Sequence, residues 1–219
     1  MDLTHWTGAP VPQRESLEGR YARLEPLDPE AHTSSLYEAA IAPGADERFR
    51  YLPEEPPADR EEFHRWVSRA AESTDPRFYA VVDKQTGRAE GRQTLMRIDA
   101  TNGAIEVGNI LWGPRLARTR VATEALFLFA DYVFGLGYRR FEWKCNDLNE
   151  PSKRAARRFG FTFEGVFRQH MVVKGLNRDT AWFSVIDTEW PRLREVYTTW
   201  LSPESFDANG QQLFALATR

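Results

Sequence analysis

The sequence predicts an α/β fold in which helices cover the faces of a central sheet. Strand-like and helix-like segments are interspersed along the chain. Its middle runs through strands, a helix that is apolar nearly all round, a strand, a second helix and a long hairpin. This order of elements is typical of one layered domain. A length of 219 residues with 42% hydrophobic residues is enough to form its core.

Four strands and two helices are predicted in the first half of the chain. The strand-like runs are RYARLEPL, RFYAVVDK, GRQTLMRID and AIEVGNILW. Helical spacing of apolar residues occurs in PEAHTSSLYEAAIA and ADREEFHRWVSRAAES. Residues 1–17 are predicted to be an irregular lead-in, and the proline-rich, acidic residues 43–58 to be a loop.

The second half begins with a predicted buried helix over residues 120–136. A strand, RRFEWKC, and a helix over 149–159 follow. FTFEGVFRQHMVVK and TAWFSVIDTEW are predicted to pair as a hairpin across a GLNRD turn. PRLREVYTTWL is predicted to be a helix with its proline in the first turn.

The charge is unevenly distributed. The chain has 29 basic and 32 acidic residues, so its net charge of −3 does not indicate a nucleic-acid partner. Residues 113–158, however, carry an excess of basic side chains. A basic segment in an acidic protein indicates a small anionic ligand.

Other classes of site are excluded by composition. One cysteine cannot form a disulfide framework, and the four histidines share no ligand spacing, so no metal site is predicted. The chain begins without a basic and apolar signal segment, and no apolar run is long enough to span a bilayer. We therefore expect a cytoplasmic protein with no membrane partner.

The basic segment is densest in WGPRLARTRVATEAL, residues 112–126, where Arg115, Arg118 and Arg120 precede the apolar helix. The start of a helix has unpaired amides and a partial positive charge, and guanidinium groups bind phosphate oxygens bidentately. The pattern therefore predicts a phosphate site. The alternative is three solvated arginines beside a helix.

Five motifs occur in a specific order: IEVGNILW, TEA, NEPS, RRFGFTFEG and KGLNRDTAWFSVID. In this order the chain resembles the GNAT N-acetyltransferase superfamily, in the branch of ribosomal-protein N-terminal acetyltransferases, over residues 18–190. The resemblance implies a mixed, mostly antiparallel sheet of about seven strands with helices on both faces. Residues 191–219 then form a C-terminal helix and tail.

The resemblance also implies acetyl-CoA as cosubstrate. The family's phosphate loop falls on residues 115–120, where this chain has Arg118 and Arg120 in place of two glycines. Either the amides of this turn still face the diphosphate with the arginines at its edges, or the loop is degenerate and the protein is a non-catalytic CoA-binding module. We favour the first reading. The predicted contacts at the helix start are Arg115, Arg118, Thr119, Arg120, Val121, Ala122 and Thr123.

Further site residues follow from the resemblance. The strand EVGNILW is expected to splay from FEWKC, so that the backbone near Ile110, Leu111 and Trp112 binds the pantetheine arm. Asn149 matches a pantetheine-binding asparagine, although a helix N-cap explains it equally well.

Two residues are candidates for catalysis. Glu106 could be the general base, acting through a water, or an ordinary ion-paired carboxylate. Ser152 could stabilise the leaving thiolate, or bond local backbone. Arg178-Asp179 matches the R-D-T motif of this branch, where we expect an ion pair that fixes the hairpin turn rather than a contact with the substrate.

The expected activity is acetyl transfer to a primary amine by direct transfer in a ternary complex. At pH 7, deprotonating an α-amine costs about 1.4 kcal/mol, against about 4.6 kcal/mol for a lysine. An α-amine is therefore the easier acceptor. The sequence does not distinguish a protein N-terminus from a small molecule, and a homodimer is compatible with it.

Overall fold

The computed structural model describes residues 2–218, and a sheet of eight strands runs through its centre. The strands are β1 (Leu17–Glu18), β2 (Ala22–Pro26), β3 (Arg77–Asp83), β4 (Arg88–Asp99), β5 (Ala104–Trp112), β6 (Arg140–Asn146), β7 (Thr162–Val173) and β8 (Leu176–Ile186). The helices are α1 (Pro29–Ile41), α2 (Ala45–Phe49), α3 (Arg60–Glu72), α4 (Arg120–Gly135), α5 (Glu150–Arg158) and α6 (Trp190–Trp200), followed by a 3₁₀ turn, Pro203–Ser205.

The strand order is β1-β2-β3-β4-β5-β6-β8-β7, and every neighbouring pair is antiparallel except β5 and β6. Parallel neighbours need a long crossover, which α4 supplies. The predicted mixed, mostly antiparallel sheet is therefore confirmed. It has one strand more than the seven expected, because the two residues of β1 also pair with β2.

Helices cover both faces of the sheet, as predicted. Along β3, Tyr79 and Val81 belong to one buried cluster, while Ala80 and Val82 belong to another. Because alternate residues of a strand point to opposite faces, the clusters lie on opposite sides of the sheet. The first contains α4 and α6, and the second contains α1 and α3. None of the helices in residues 2–218 is long and apolar enough to cross a membrane.

Two predicted loops are shorter than expected. Residues 43–58 are not all loop, because the five residues of α2 form a helical turn that buries Phe49. The predicted GLNRD turn is wrong, since β8 already begins at Leu176. The turn is instead Lys174-Gly175, and both residues have positive φ, 51° and 72°. This is the backbone that a tight two-residue hairpin requires.

The C-terminal helix and the tail pack into the same core as α4. Trp190, Leu193 and Trp200 of α6 are buried in the first cluster, and Phe206 of the tail joins them. The hydroxyl of Tyr197 donates to the Phe159 carbonyl at 3.0 Å. Helix α6 therefore lies beside the end of α5. The tail lies there too, since the Thr218 hydroxyl donates to the Arg158 carbonyl, and Phe206 brings it close to Arg120 at the start of α4.

Glu124 fixes the position of α4 against β2. Its buried carboxylate accepts hydrogen bonds from the backbone amides of Arg20, Tyr21 and Ala22 at 2.9, 2.6 and 2.6 Å. A Cβ on Gly19 would lie 2.5 Å from this carboxylate, so glycine is needed for the close approach. The first turns of α4 are thereby held at the edge of β2.

We expect Glu124→Gln to lower the free energy of unfolding by about 2 kcal/mol. The uncharged glutamine side chain accepts weaker hydrogen bonds from the three backbone N–H groups than the carboxylate does. Urea denaturation measures this change. Glu61→Gln is the matched control, since its carboxylate forms an exposed ion pair with Arg65 and its loss should change stability by less than about 0.5 kcal/mol. Equal effects in the two variants would contradict the role of Glu124.

Candidate active site

The site begins where β5 and β6 separate. The two strands pair from Ala104↔Arg140 to Val107↔Trp143 and no further, although both strands continue. Beyond that point β5 stays paired with β4, and β6 stays paired with β8. The splay expected between these strands is therefore present. It opens a groove whose walls are the end of β5 and the first turn of α5.

A cavity of 560 Å³, which we call the α4 cavity, lies at one end of this groove. The start of α4, the side of α5 and the C-terminal tail surround it. Its lining residues include Trp112, Ala117, Arg118, Thr119, Arg120, Val121, Pro151, Ala155, Arg158, Trp200, Phe206 and Asn209 to Gln212. No sequence motif indicated that the tail would form part of this wall.

A second cavity of 220 Å³, the β5–β6 cavity, lies at the other end. It is lined by Arg48, Tyr51, Leu52, Pro53, Met96, Arg97, Glu106, Val107, Gly108, Asn109, Ile110, Trp143, Lys144, Cys145, Asn146, Asn149, Ser152, Met171 and Arg178. The two cavities share their walls. Ile110 of β5 and Ser152 of α5 line the β5–β6 cavity. Trp112 of β5 and Ala155 of α5 line the α4 cavity.

The turn before α4 has a left-handed residue at Arg118, where the family's phosphate loop has a glycine. Arg118 has φ of +67°, a conformation that costs a non-glycine residue about 1 kcal/mol. Thr119 caps the helix, because its hydroxyl accepts the Ala122 amide at 3.3 Å. Since a helix leaves its first amides without intrahelical partners, the N–H groups of Arg120 and Val121 remain available toward the α4 cavity.

The three arginines of this turn have different surroundings. Arg118 lines the α4 cavity, whereas the side chain of Arg115 is 71% exposed, pairs with Glu90 at 3.4 Å and lies outside the cavity. The guanidinium of Arg120 lies 4.3 Å from the ring centre of Tyr21 and 5.2 Å from that of Phe206. These cation–π contacts hold Arg120 against the tail.

Arg158 is the last residue of α5 and lies beside the α4 cavity. Its Nη1 donates to the Thr123 hydroxyl at 3.2 Å, and its guanidinium lies 5.3 Å from the Trp200 ring centre. Burial lowers the pKa of Arg158. Arg157 points elsewhere, over the rings of Phe163 and Phe183. Of these two arginines only Arg158 lines the α4 cavity.

Glu106 is buried in the wall of the β5–β6 cavity between two cations. Its Oε2 lies 3.0 Å from the Arg97 Nε and 3.0 Å from the Lys144 Nζ. Lys144 also pairs with Glu142 at 2.8 Å. Burial raises the pKa of the Glu106 carboxyl, and the two cations offset part of this effect. Glu106, the predicted base, therefore forms ion pairs, and unlike a surface carboxylate it is buried.

Ser152 and Asn149 meet at the start of α5. Asn149 is the helix N-cap, since its Oδ1 accepts the Ser152 amide at 3.1 Å. The Ser152 hydroxyl accepts a hydrogen bond from the Trp143 Nε1 at 2.9 Å and does not bond local backbone. Cys145 lies next to Ser152. Burial raises the pKa of the Cys145 thiol, and the hydrogen bond with Ser152 offsets part of this rise.

The end of β5 presents its residues to different sides. Ile110 and Trp112 face the groove, while Leu111 is buried in the second core cluster on the opposite face. The Nε1 of Trp112 is buried and has no hydrogen-bond partner among the described residues. Asn109 has a φ of +48°, where the pairing of β5 with β4 shifts register. The backbone of β5 is therefore bent at the point where the groove widens.

In the part of the chain that the structure describes, Arg178 and Asp179 do not form the expected ion pair. Asp179 instead accepts the Gln169 amide at 2.7 Å and the Asn177 side-chain amide at 2.9 Å. Adjacent residues of a strand point to opposite faces, so the Arg178 side chain is free to turn into the β5–β6 cavity. Arg97 and Lys144 were also not predicted, because no motif marks them.

Comparison with known proteins agrees with this geometry. Residues 22–162 match the model of the acetyltransferase (GNAT) domain family. A GCN5-related N-acetyltransferase from Brucella melitensis has a crystal structure with a TM-score of 0.96 and 57% identity, covering 98% of this chain and 97% of that one.

Two further relatives are more distant. The uncharacterized N-acetyltransferase p20 from Bacillus licheniformis is 30% identical over 117 residues, 51% of this chain and 63% of that protein, less than two thirds of its length. An acetyltransferase from Salmonella typhimurium that modifies the N-terminal serine of ribosomal protein L7/L12 has a TM-score of 0.65 at 20% identity, covering 78% and 99% of the two chains. That likeness shows a shared fold. The family model matches well over half of the chain, and the protein therefore belongs to the GNAT acetyltransferase family of acyltransferases.

Proposed function

We propose that the protein is an acetyl-CoA-dependent N-acetyltransferase that transfers the acetyl group directly to a primary amine in a ternary complex. One observation carries this proposal. A groove along the splayed end of β5 joins a 560 Å³ cavity at the start of α4 to a 220 Å³ cavity that contains Glu106 and Ser152. A long cosubstrate with a phosphate end and a reactive end matches a groove of this form.

The α4 cavity suits a diphosphate. Arg118 and Arg158 line it, and the amides of Arg120 and Val121 are available there. Guanidinium groups and helix-start amides are both good donors to phosphate oxygens. The positive φ of Arg118 preserves the backbone path that glycine ordinarily allows. This supports a working loop over a degenerate one.

The groove between the cavities suits the pantetheine arm. Beyond Val107, β5 has no strand partner on the β6 side, so backbone groups near Ile110 to Trp112 are candidates to bond amides of the arm. The buried, unpartnered Nε1 of Trp112 is a further donor. Asn149 uses its Oδ1 for the helix cap, which leaves its side-chain N–H groups for the same arm.

Acetyl-CoA supplies an acetyl group activated as a thioester. Glu106 is the candidate to accept the proton that the acceptor amine must lose, directly or through a water. The acceptor nitrogen forms its bond to the carbonyl carbon as the carbon–sulfur bond breaks. The Ser152 hydroxyl, held by the Trp143 Nε1, is the candidate to donate a hydrogen bond to the departing sulfur.

Direct transfer is supported by the state of Cys145. It is the only cysteine in the sequence, and burial raises the pKa of its thiol. A thiol nucleophile requires the thiolate, which a low pKa favours. We therefore assign Cys145 to the wall of the cavity. The acetyl group then passes to the acceptor without a covalent enzyme intermediate.

We expect Arg118→Glu to raise the dissociation constant for acetyl-CoA at least about tenfold, because it brings a negative charge to the diphosphate. Arg118→Gly should also weaken binding while raising the melting temperature, since glycine removes the backbone strain. Calorimetry and thermal unfolding measure the two effects. Arg65→Glu, on an exposed face of α3, is the matched charge control. A change of less than about threefold for Arg118→Glu would show that this arginine does not contact the cosubstrate.

We expect Glu106→Gln to lower kcat about 100-fold or more with little effect on the dissociation constant for acetyl-CoA, because a general base acts on the acceptor. Thiol release in the presence of a broad amine panel measures kcat. Glu142→Gln is the control, since Glu142 also pairs with Lys144 but does not line the cavity. An equal loss in both variants would assign Glu106 a structural role.

The same experiment includes a pH profile. Below its pKa the Glu106 carboxyl is protonated and cannot accept a proton, and burial raises that pKa. The wild-type kcat/KM should therefore fall as the pH drops through the raised value, while Glu106→Gln keeps only the limb due to the acceptor amine. Binding of acetyl-CoA without turnover on any amine would indicate a non-catalytic CoA-binding module.

A further inference from the structure

The lining of the β5–β6 cavity is strongly cationic. Arg48, Arg97, Lys144 and Arg178 line it, against the single carboxylate of Glu106. Three of these cations already have partners, and Arg97 pairs with Glu106 through its Nε alone. Arg48 donates to the carbonyls of Pro43 and Ala40 at 2.8 and 3.1 Å, which closes the end of α1.

Lys144 is also occupied. It is shared between Glu106 and Glu142, and its Nζ lies 3.6 Å from the centre of the Trp182 ring. These contacts account for its charge. The donors that remain in the cavity are those of Arg178 and the outer nitrogens of Arg97.

The side chain of Arg178 has no acceptor among the described residues. Its Nε is buried without a hydrogen-bond partner, and it forms no ion pair within residues 2–218. Burial lowers the pKa of its guanidinium. Leaving a charged donor unsatisfied costs folding free energy. An arginine held in this way at the wall of a cavity is explained if an anion from outside the chain satisfies it.

Arg97 is placed beside the same space by a strained backbone. Its φ is +50°, in the part of β4 where pairing with β5 shifts register. Asp75 accepts the Arg97 and Ile98 amides at 2.8 and 3.1 Å and so fixes this conformation. The Nε of Arg97 lies against Glu106, and its side chain has no other acceptor among the described residues. Its outer nitrogens are therefore available to a second carboxylate.

We propose that the acceptor is a small amine that carries a carboxylate, of the α-amino acid class, and that Arg178 together with Arg97 binds this carboxylate. The inference rests on the proposed acetyltransferase function. Guanidinium groups match the geometry of a carboxylate, and Glu106 in the same cavity is positioned to receive the proton of the amine. A polyamine would bring further positive charge to a cationic wall and is disfavoured.

The mouth of the cavity favours a small molecule over a polypeptide end. The Tyr51 hydroxyl donates to the Leu148 carbonyl at 3.1 Å, which ties the segment after α2 to the one before α5. Lys174, in the β7–β8 turn, donates to the Phe49 carbonyl at 3.1 Å and pairs with Glu55 at 3.0 Å. The tethered segment lines the cavity through Tyr51, Leu52 and Pro53. Its volume of 220 Å³ lies below the range of about 300 to 1,000 Å³ that is usual for ligand sites.

The test compares α-amino acids with their amides as acceptors, at saturating acetyl-CoA, across small, acidic, aromatic and basic side chains. The amide has nearly the same size but no carboxylate, and its amine is the less basic of the two, so amine chemistry alone favours the amide. We expect kcat/KM for at least one amino acid to exceed that for its amide about tenfold or more. Peptides that begin with the same residue form a third arm.

Arg178→Gln should remove the preference by lowering kcat/KM for the acid while leaving the amide within about twofold, and Arg178→Lys should retain part of it. Arg168→Gln is the matched control, because Arg168 is an exposed arginine on β7 outside the cavity. Circular dichroism and thermal unfolding verify that each variant is folded.

Several outcomes would overturn the inference. Equal or better turnover of the amides, a preference for peptides, or an equal loss for acid and amide in Arg178→Gln would each do so. In those cases transfer to amines still occurs, so the proposed function stands. If none of the amines tested is acetylated, both the proposed function and the inference are overturned.

Discussion

Strands β5 and β6 diverge after four paired residues, and the groove between them positions both cavities. Their pairing stops at Val107↔Trp143, because β5 follows β4 and β6 follows β8. The crossover helix α4 starts at one end of the resulting groove. Backbone polar groups along the gap have no strand partner, so water or a ligand must satisfy them. Both cavities are consequences of this one break in the sheet.

Backbone strain is concentrated around the same groove. Five non-glycine residues of the described chain have positive φ, and three of them, Arg97, Asn109 and Arg118, line the two cavities. The tertiary structure holds these conformations, for example through Asp75 at Arg97. Strain that persists at a cavity is common at functional sites, where it sets the direction of a side chain. Here it places two guanidinium groups toward the groove.

The sequence predicted the fold more fully than the site. Periodicity located five of the six helices and most strands. The family resemblance singled out the start of α4, Glu106 and Asn149, and the structure places them along the two cavities. Contacts between residues far apart in the chain could not be predicted from the sequence. Nothing local indicates that the tail would wall the α4 cavity, or that Lys144 would lie between two carboxylates. Arg178 was misread because the ion pair expected with its neighbour requires both side chains on one face of a strand, which alternation prevents.

We propose that the turn between β5 and α4 receives the diphosphate of acetyl-CoA. A crystal structure of the protein with bound CoA is the decisive experiment. We expect diphosphate oxygens within hydrogen-bond distance of the Arg120 and Val121 amides, with Arg118 or Arg158 bound to their outer side. A cofactor seated elsewhere, or an α4 cavity filled by the Arg120 or Arg158 side chain, would contradict it.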